Sequence, residues 1–163
     1  ALVDGRTEGL EYRLKTKESL TRKISTRATL EPISVDQIGN DLKDILRYTI
    51  ILDEDNFGAN VLRAFESLES DTYTKIKVKN TFKPGEIYKG INTAFKSNAN
   101  QPFEVQFHTL RSFDVKQNKT HGLYEEVRRP STTRKRAEEI NQQIIKYSDE
   151  INIPADAGVV KNY

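Results

Sequence analysis

From Pro102 to Thr109 apolar and polar positions alternate, Phe103, Val105 and Phe107 being interleaved with Glu104, Gln106 and His108. Successive side chains of a strand point to opposite faces, so the spacing predicts a strand with one apolar face. Its other face carries an acid, an amide and an imidazole in register. The same alternation over Leu10, Tyr12 and Leu14, against Glu11, Arg13 and Lys15, predicts a first short strand. A helix is expected from about Ser19 to Ala28. Ser34 with Gln37 three residues on has capping-box spacing and opens a helix through about Asp44. The β-branched, apolar run LRYTIIL at 46–52 predicts a buried strand, and DEDN turns the chain after it.

Val61, Leu62, Phe65 and Leu68 recur at helical spacing, which predicts a helix over 56–69 with these residues in the core. Residues 73–80 alternate Tyr73, Lys75, Lys77 and Lys79 against Ile76 and Val78, a strand with one basic face. Lys-Pro-Gly at 83–85 marks a turn, 87–95 a further strand, and SNANQP a hairpin connection. A helix follows from Ser112 to about Arg129, where Pro130 stops it, then a last one over 132–147. Irregular chain is expected from Ile151 to Tyr163. The order β-α-α-β-α-β-β-β-α-α predicts an α/β (α+β) fold: a mixed sheet of about five strands covered by helices.

Composition narrows the chemistry. The 163 residues are enough for one domain with a real core, read as a unit over 1–163 with its essential part at about 10–129. With 36% hydrophobic and 31% charged residues, a water-exposed protein is expected. No apolar run approaches the ~20 residues of a membrane helix, and Ala1–Leu10 holds no apolar leader core. The first residue is not Met, so a piece of a larger protein is expected. Zero Cys removes disulfides, thiolate metal sites and Cys nucleophiles, and His108 and His121 alone cannot build a multi-histidine centre. The net charge of +2 is mild, but cations cluster at Arg13–Arg27 and again at Arg128–Arg136. Two such patches could meet phosphates, although solvated helix faces are the commoner origin of such runs.

If the strands neighbour one another, their polar faces converge. Arg13 and Lys15 share a face of the first strand; Tyr88, Gly90 and Asn92 share a face beside Glu104, Gln106 and His108. Arg and Lys neutralise phosphates, a Tyr ring can stack on a base, and a carboxylate can hold Mg²⁺ or take a proton from a hydroxyl.

Several segments then resemble, in order, the synthetase domain of the RelA/SpoT family, the alarmone pyrophosphokinases and their toxin relatives. YRLKTKESLTRK (12–23) is similar to a basic ATP-binding segment of the form R-x-K-x-x-x-S-x-x-x-K, met here by Arg13, Lys15, Ser19 and Lys23. DILRYTIIL (44–52) resembles the strand with a metal-binding Asp followed by an Arg. KNTFKPGEIYKGINTAF (79–95) resembles the loop and strand ending in Y-x-S-I-H-T, FEVQFHT is similar to E-I-Q-I-R-T, and THGLYEEVR (120–128) to a helix with an H-x-x-Y-K ending.

The resemblance implies a nucleotidyltransferase-like fold and Mg²⁺-dependent transfer of a pyrophosphoryl group from ATP to a ribose 3′-hydroxyl. The acceptor would be a nucleotide or the 3′ end of an RNA such as tRNA. By residue it implies nucleotide binding by Arg13, Lys15, Ser19, Lys23, Arg47, Lys79, Tyr88, Asn92 and His121, and catalysis by Glu104, Gln106 and His108. Asp44 and Glu104 would hold the metal. The chain departs from the pattern where Asp44 stands three residues before Arg47 and Asp41 six before, the family spacing being five. Asn92 replaces a His, His108 an Arg and Gly90 a Ser. A stand-alone synthetase core is the form of the toxin members, so a toxin or phage-borne module acting in the cytoplasm is expected. The alternative is a catalytically silent nucleotide-binding, RNA-binding or structural module of a phage or larger toxin protein. A third idea, a transferase with another donor such as NAD⁺, has no Gly-rich fingerprint to support it.

Overall fold

A computed structural model describes residues 5–163 of the chain; residues 1–4, the start of the stretch scanned for a leader, lie outside the described residues. The strands are β1 (Gly5–Glu8), β2 (Arg47–Leu52), β3 (Thr74–Asn80), β4 (Ile91–Lys96) and β5 (Pro102–His108). They form one open sheet in the order β1-β2-β5-β4-β3. β2 and β5 run parallel and every other neighbouring pair is antiparallel. The helices are α1 (Lys17–Leu30), α2 (Val35–Asp41), α3 (Phe57–Ser70), α4 (Leu110–Asp114), α5 (His121–Val127) and α6 (Arg134–Asp149). The expected mixed α/β architecture is what the chain adopts.

Two expected strands are corrected. Leu10–Tyr12 is a 3-10 turn, and only Leu14 makes an isolated bridge, to Leu46. The alternation that suggested a strand there leaves Leu10, Tyr12 and Leu14 exposed. The strand that pairs with β2 lies just before, at Gly5–Glu8. The strand expected from 87 starts at Ile91, because residues 83–89 fold back on themselves. The Lys89 ammonium donates to the carbonyls of Lys83 (2.8 Å) and Glu86 (2.5 Å), and such inward bonding leaves no strand ladder. The Ser34 capping box forms with both of its hydrogen bonds, but its helix ends at Asp41 rather than at 44. The helix expected over 112–129 is three joined pieces, α4 and α5 being linked by a π-helical turn at Val115–Thr120.

β5 is the central strand and separates two environments. Phe103, Val105 and Phe107 enter the main core with Phe95, Val78, Leu52 and, from α3, Phe57, Val61 and Phe65. Phe65 meets Phe107 edge-on, the ring centroids 5.8 Å apart. Each such side chain buried contributes about 1.5–3 kcal/mol. The tail after α6 has little regular structure, yet Ile151, Ala157 and Val160 belong to this core. Tyr163 exchanges backbone hydrogen bonds with Val78, and the Asn80 amide donates to Ala157 O and Val160 O. The tail thus covers the outer edge of β3, whose groups would otherwise be free to pair. Among the described residues no helix is long and apolar enough to cross a membrane.

Candidate active site

The register of the sheet assembles the polar face in rows. Residues paired across neighbouring strands project to the same side. Arg47 pairs with Glu104, Glu104 with Ala94 and Ala94 with Lys77. The next row is Thr49, Gln106, Asn92 and Lys79. His108 and Ile51 begin a third row. Arg47, Lys79, Asn92, Glu104, Gln106 and His108, all expected in the site, are thereby neighbours by backbone geometry alone.

Asp44 and its cations close one end. Lys15 and Lys23 hold the Asp44 carboxylate from two sides, at 2.9 and 2.8 Å. Lys23 comes from α1, whose first turn is capped by the Thr16 hydroxyl on the Ser19 N–H, and Lys15 from the segment bridged to Leu46. Burial pushes the Asp44 carboxyl up, but the hydrogen bonds from Lys23 and Lys15 outweigh it and hold it down at about 2. The Arg47 guanidinium reaches the same carboxylate at 3.7 Å and bonds Glu104 at 2.5 Å. The two carboxylates expected to bind metal are therefore joined through one guanidinium. Asp41, whose spacing from Arg47 left it a rival, pairs with Arg27 instead and is well exposed. A cleft of about 340 Å³ opens beside this network, lined by Lys23, Arg27, Lys43, Lys77 and Lys79 with Asp44, Asn92 and Glu104.

The third row is buried and tightly bonded. The Tyr88 hydroxyl donates to Asn92 Oδ1 at 2.8 Å and lies 2.9 Å from His108 Nε2, while His108 Nδ1 lies 2.9 Å from Ser112 Oγ. Ser112 is fixed by a capping box with Thr109 at the start of α4. Burial, and then the Lys116 cation, push the His108 imidazole far below its ordinary range, so the ring is neutral. Both ring nitrogens are thus engaged, Nε2 by the Tyr88 hydroxyl and Nδ1 by the Ser112 hydroxyl. Burial, reinforced by the Glu104 charge, raises the Tyr88 phenol and keeps it protonated. Gly90 is required by this cluster: a Cβ there would lie 2.8 Å from both His108 Cε1 and the Tyr88 hydroxyl oxygen. The close approach at Gly90 is thus to these two rings. Asn92 and His108, two departures from the family motifs, are partners on one hydroxyl.

Other expected residues stand apart. Arg13 is exposed and its guanidinium turns back onto Leu10 O at 3.0 Å. Ser19 sits in the first turn of α1, and His121 is exposed at the start of α5. Conversely, Lys116 escaped the sequence reading. It projects from the π-helical turn, donates to Gln106 Oε1 at 2.6 Å and lies over the Phe113 ring. Burial, and then the nearby Arg47, lower its ammonium to about 8 against the opposing pull of Glu104. Nothing in the pattern of 112–129 singles out this lysine, since its partners are on β5. Lys77 was legible as part of a basic strand face, but only the register puts it in the cleft.

Solved structures share this arrangement of elements. The type VI effector Tas1, solved in complex with its immunity protein, matches with a TM-score of 0.53 and 20% identity over 90% of this chain and 81% of that one. Small alarmone synthetase 1 from Bacillus subtilis, bound to its product pppGpp, matches at 0.56 and 14% over 89% and 72%. A GTP pyrophosphokinase family protein from Streptococcus pneumoniae matches at 0.57 and 19% over 96% and 80%.

The fold is that of the small alarmone synthetases.

At these identities the likeness is one of fold, and it agrees with the motif order read from the sequence. No family model matches the chain, and no curated protein matches it either.

Proposed function

We propose that the protein transfers a pyrophosphoryl group from ATP to the ribose 3′-hydroxyl of an acceptor nucleotide or RNA 3′ end, and serves as a toxin module. The observation that carries the reading is the Lys15–Asp44–Lys23 cluster joined through Arg47 to Glu104, beside a cleft on the polar face of an alarmone-synthetase sheet. The fold shared with Tas1 and with the pppGpp-bound synthetase supports it.

The donor set suits Mg²⁺, which is usually held by one or two carboxylates and completed by substrate phosphate oxygens. Among the described residues no group of three or more His, Asp or Glu could hold a metal alone, so Asp44 and Glu104 would share it with phosphates. Bound there, the ion would neutralise charge on the pyrophosphoryl oxygens.

The chain's own residues do the rest. Lys15 and Lys23, with Lys77, Lys79 and Arg27 around the cleft, supply the charge that a triphosphate needs. The half-buried ring of Tyr88, fixed at its hydroxyl, offers a surface for the acceptor base. Glu104 takes the hydroxyl proton as the 3′-oxygen bonds to the β-phosphorus, the bond from that phosphorus to the α–β bridging oxygen breaks, and AMP leaves. Arg47 holds Glu104 in place and Gln106 orients the neighbouring Lys116. Positioning and charge neutralisation account for nearly all catalysis of this type.

The test is incubation with β-labelled ATP, Mg²⁺ and separately GDP, GTP, AMP, ADP or tRNA, followed by product separation. Label on one acceptor together with released AMP is expected. Binding of ATP without transfer to any acceptor overturns the reading in favour of a silent nucleotide-binding module.

A further inference from the structure

Lys116 is half-buried in the polar face and forms no ion pair among the described residues. Nearby, Lys15 and Lys23 pair with Asp44 and Arg47 with Glu104, while Lys77 and Lys79, which make no ion pair among the described residues, are exposed to water. Lys116 has no carboxylate within ion-pair distance among the described residues; its bond goes to the neutral Gln106 amide oxygen at 2.6 Å. The Phe113 ring, 5.7 Å from Nζ to its centroid, lends further support. An ammonium has three N–H donors, so two remain to be filled.

Burying a cation is costly unless an anion or several hydrogen bonds compensate, and the repulsion from nearby Arg47 is only partly offset by the Glu104 charge. A lysine needed only to orient Gln106 has no use for that charge, since a neutral donor would do. The element that carries it is itself irregular: a π-helical turn inserted between α4 and α5, a feature that costs regular hydrogen bonding and recurs at functional sites. An unmatched charge on such a turn, opening onto the face that holds Glu104, suits a ligand that brings its own negative charge.

We propose that Lys116 binds a phosphoryl oxygen of a nucleotide seated across Glu104. The proposal rests on the reading above that this face takes nucleotides, and it assigns to Lys116 a contact with substrate that the sequence motifs do not contain.

The test compares the wild-type chain with Lys116→Met, which keeps the apolar stem without the charge, and Lys116→Arg, which keeps the charge. Inorganic pyrophosphate, a non-hydrolysable ATP analogue and GDP are titrated calorimetrically, and thermal midpoints are recorded without ligand. The Met variant is expected to lose at least tenfold in pyrophosphate affinity while melting at or above the wild-type midpoint, because relief of the enclosed charge offsets the lost hydrogen bond. The Arg variant should stay within threefold of wild type. The ATP-analogue and GDP titrations show whether the oxygen belongs to donor or acceptor. Wild-type-like binding by the Met variant, or equal loss in both variants, overturns the proposal. A wild-type chain that binds pyrophosphate but transfers nothing overturns the catalytic reading and leaves this one standing; one that binds none of the three ligands overturns both.

Discussion

Arg47 Nε lies 2.5 Å from Glu104 Oε2, and the two residues are direct register partners on the parallel strands β2 and β5. The pairing ties the acid to the sheet at two levels, backbone ladder and side chain. The same guanidinium then reaches Asp44 at 3.7 Å, so one residue spans both candidate metal-binding carboxylates.

Glu104→Gln preserves the shape of the side chain and one hydrogen bond to Arg47 but removes the charge and the proton acceptor. Transfer from labelled ATP is expected to fall roughly 10²–10⁴-fold, as for loss of a general base. The circular dichroism spectrum should match wild type. Retained transfer by a folded variant would remove Glu104 from the mechanism.

Asp44 provides a pH signature. Its folded carboxyl is held at about 2, below the unfolded value of about 3.9. Its pairing therefore stabilises the fold fully above pH ~4, and this contribution of about 2 kcal/mol is lost as the pH falls towards 2. Urea midpoints of wild type and Asp44→Asn should converge over that window and differ above it. A constant difference from pH 2 to 6 contradicts the assignment.

Gly90→Ala is expected to destabilise by about 1–3 kcal/mol, since the new methyl meets His108 and Tyr88 at 2.8 Å in a closed cluster. Gly39→Ala is the control. A methyl added there would meet nothing beyond its own helix within 4 Å, and the residue is helical, so stability should hold or rise. The thermal midpoint should fall for Gly90→Ala and hold or rise for Gly39→Ala.

Phe107→Ala removes a fully buried ring at the centre of β5 and should cost about 3–5 kcal/mol. Denaturant unfolding measures it. A loss below ~1 kcal/mol would mean that this strand is not the centre of the core.

Strong local periodicity was legible: the alternation in β5, the helical stripe of Val61, Phe65 and Leu68 in α3 (from which Leu62, also expected in the core, is exposed), and the Ser34–Gln37 capping box all describe patterns within one element. The alternation at Leu10, Tyr12 and Leu14 misled because side-chain pattern says nothing about whether a neighbouring strand is available, and β1 takes that place. Tyr88 was expected to share a strand face with Asn92; it reaches Asn92 from a loop instead, through its hydroxyl.

The sequence by itself determined that β5 has an apolar and a polar side, because the two-residue period of a strand is a property of the backbone. It also determined which residue types are on the polar side. Only the tertiary structure decided that this polar side is largely enclosed, with Gln106 and His108 buried. It also decided that Asp44, not Asp41, faces Glu104, and that Lys116 arrives from a π-helical turn. These depend on pairings between residues far apart in the chain, such as Arg47 with Glu104, 57 positions on. Strand order and register set such distances, and no local pattern encodes them.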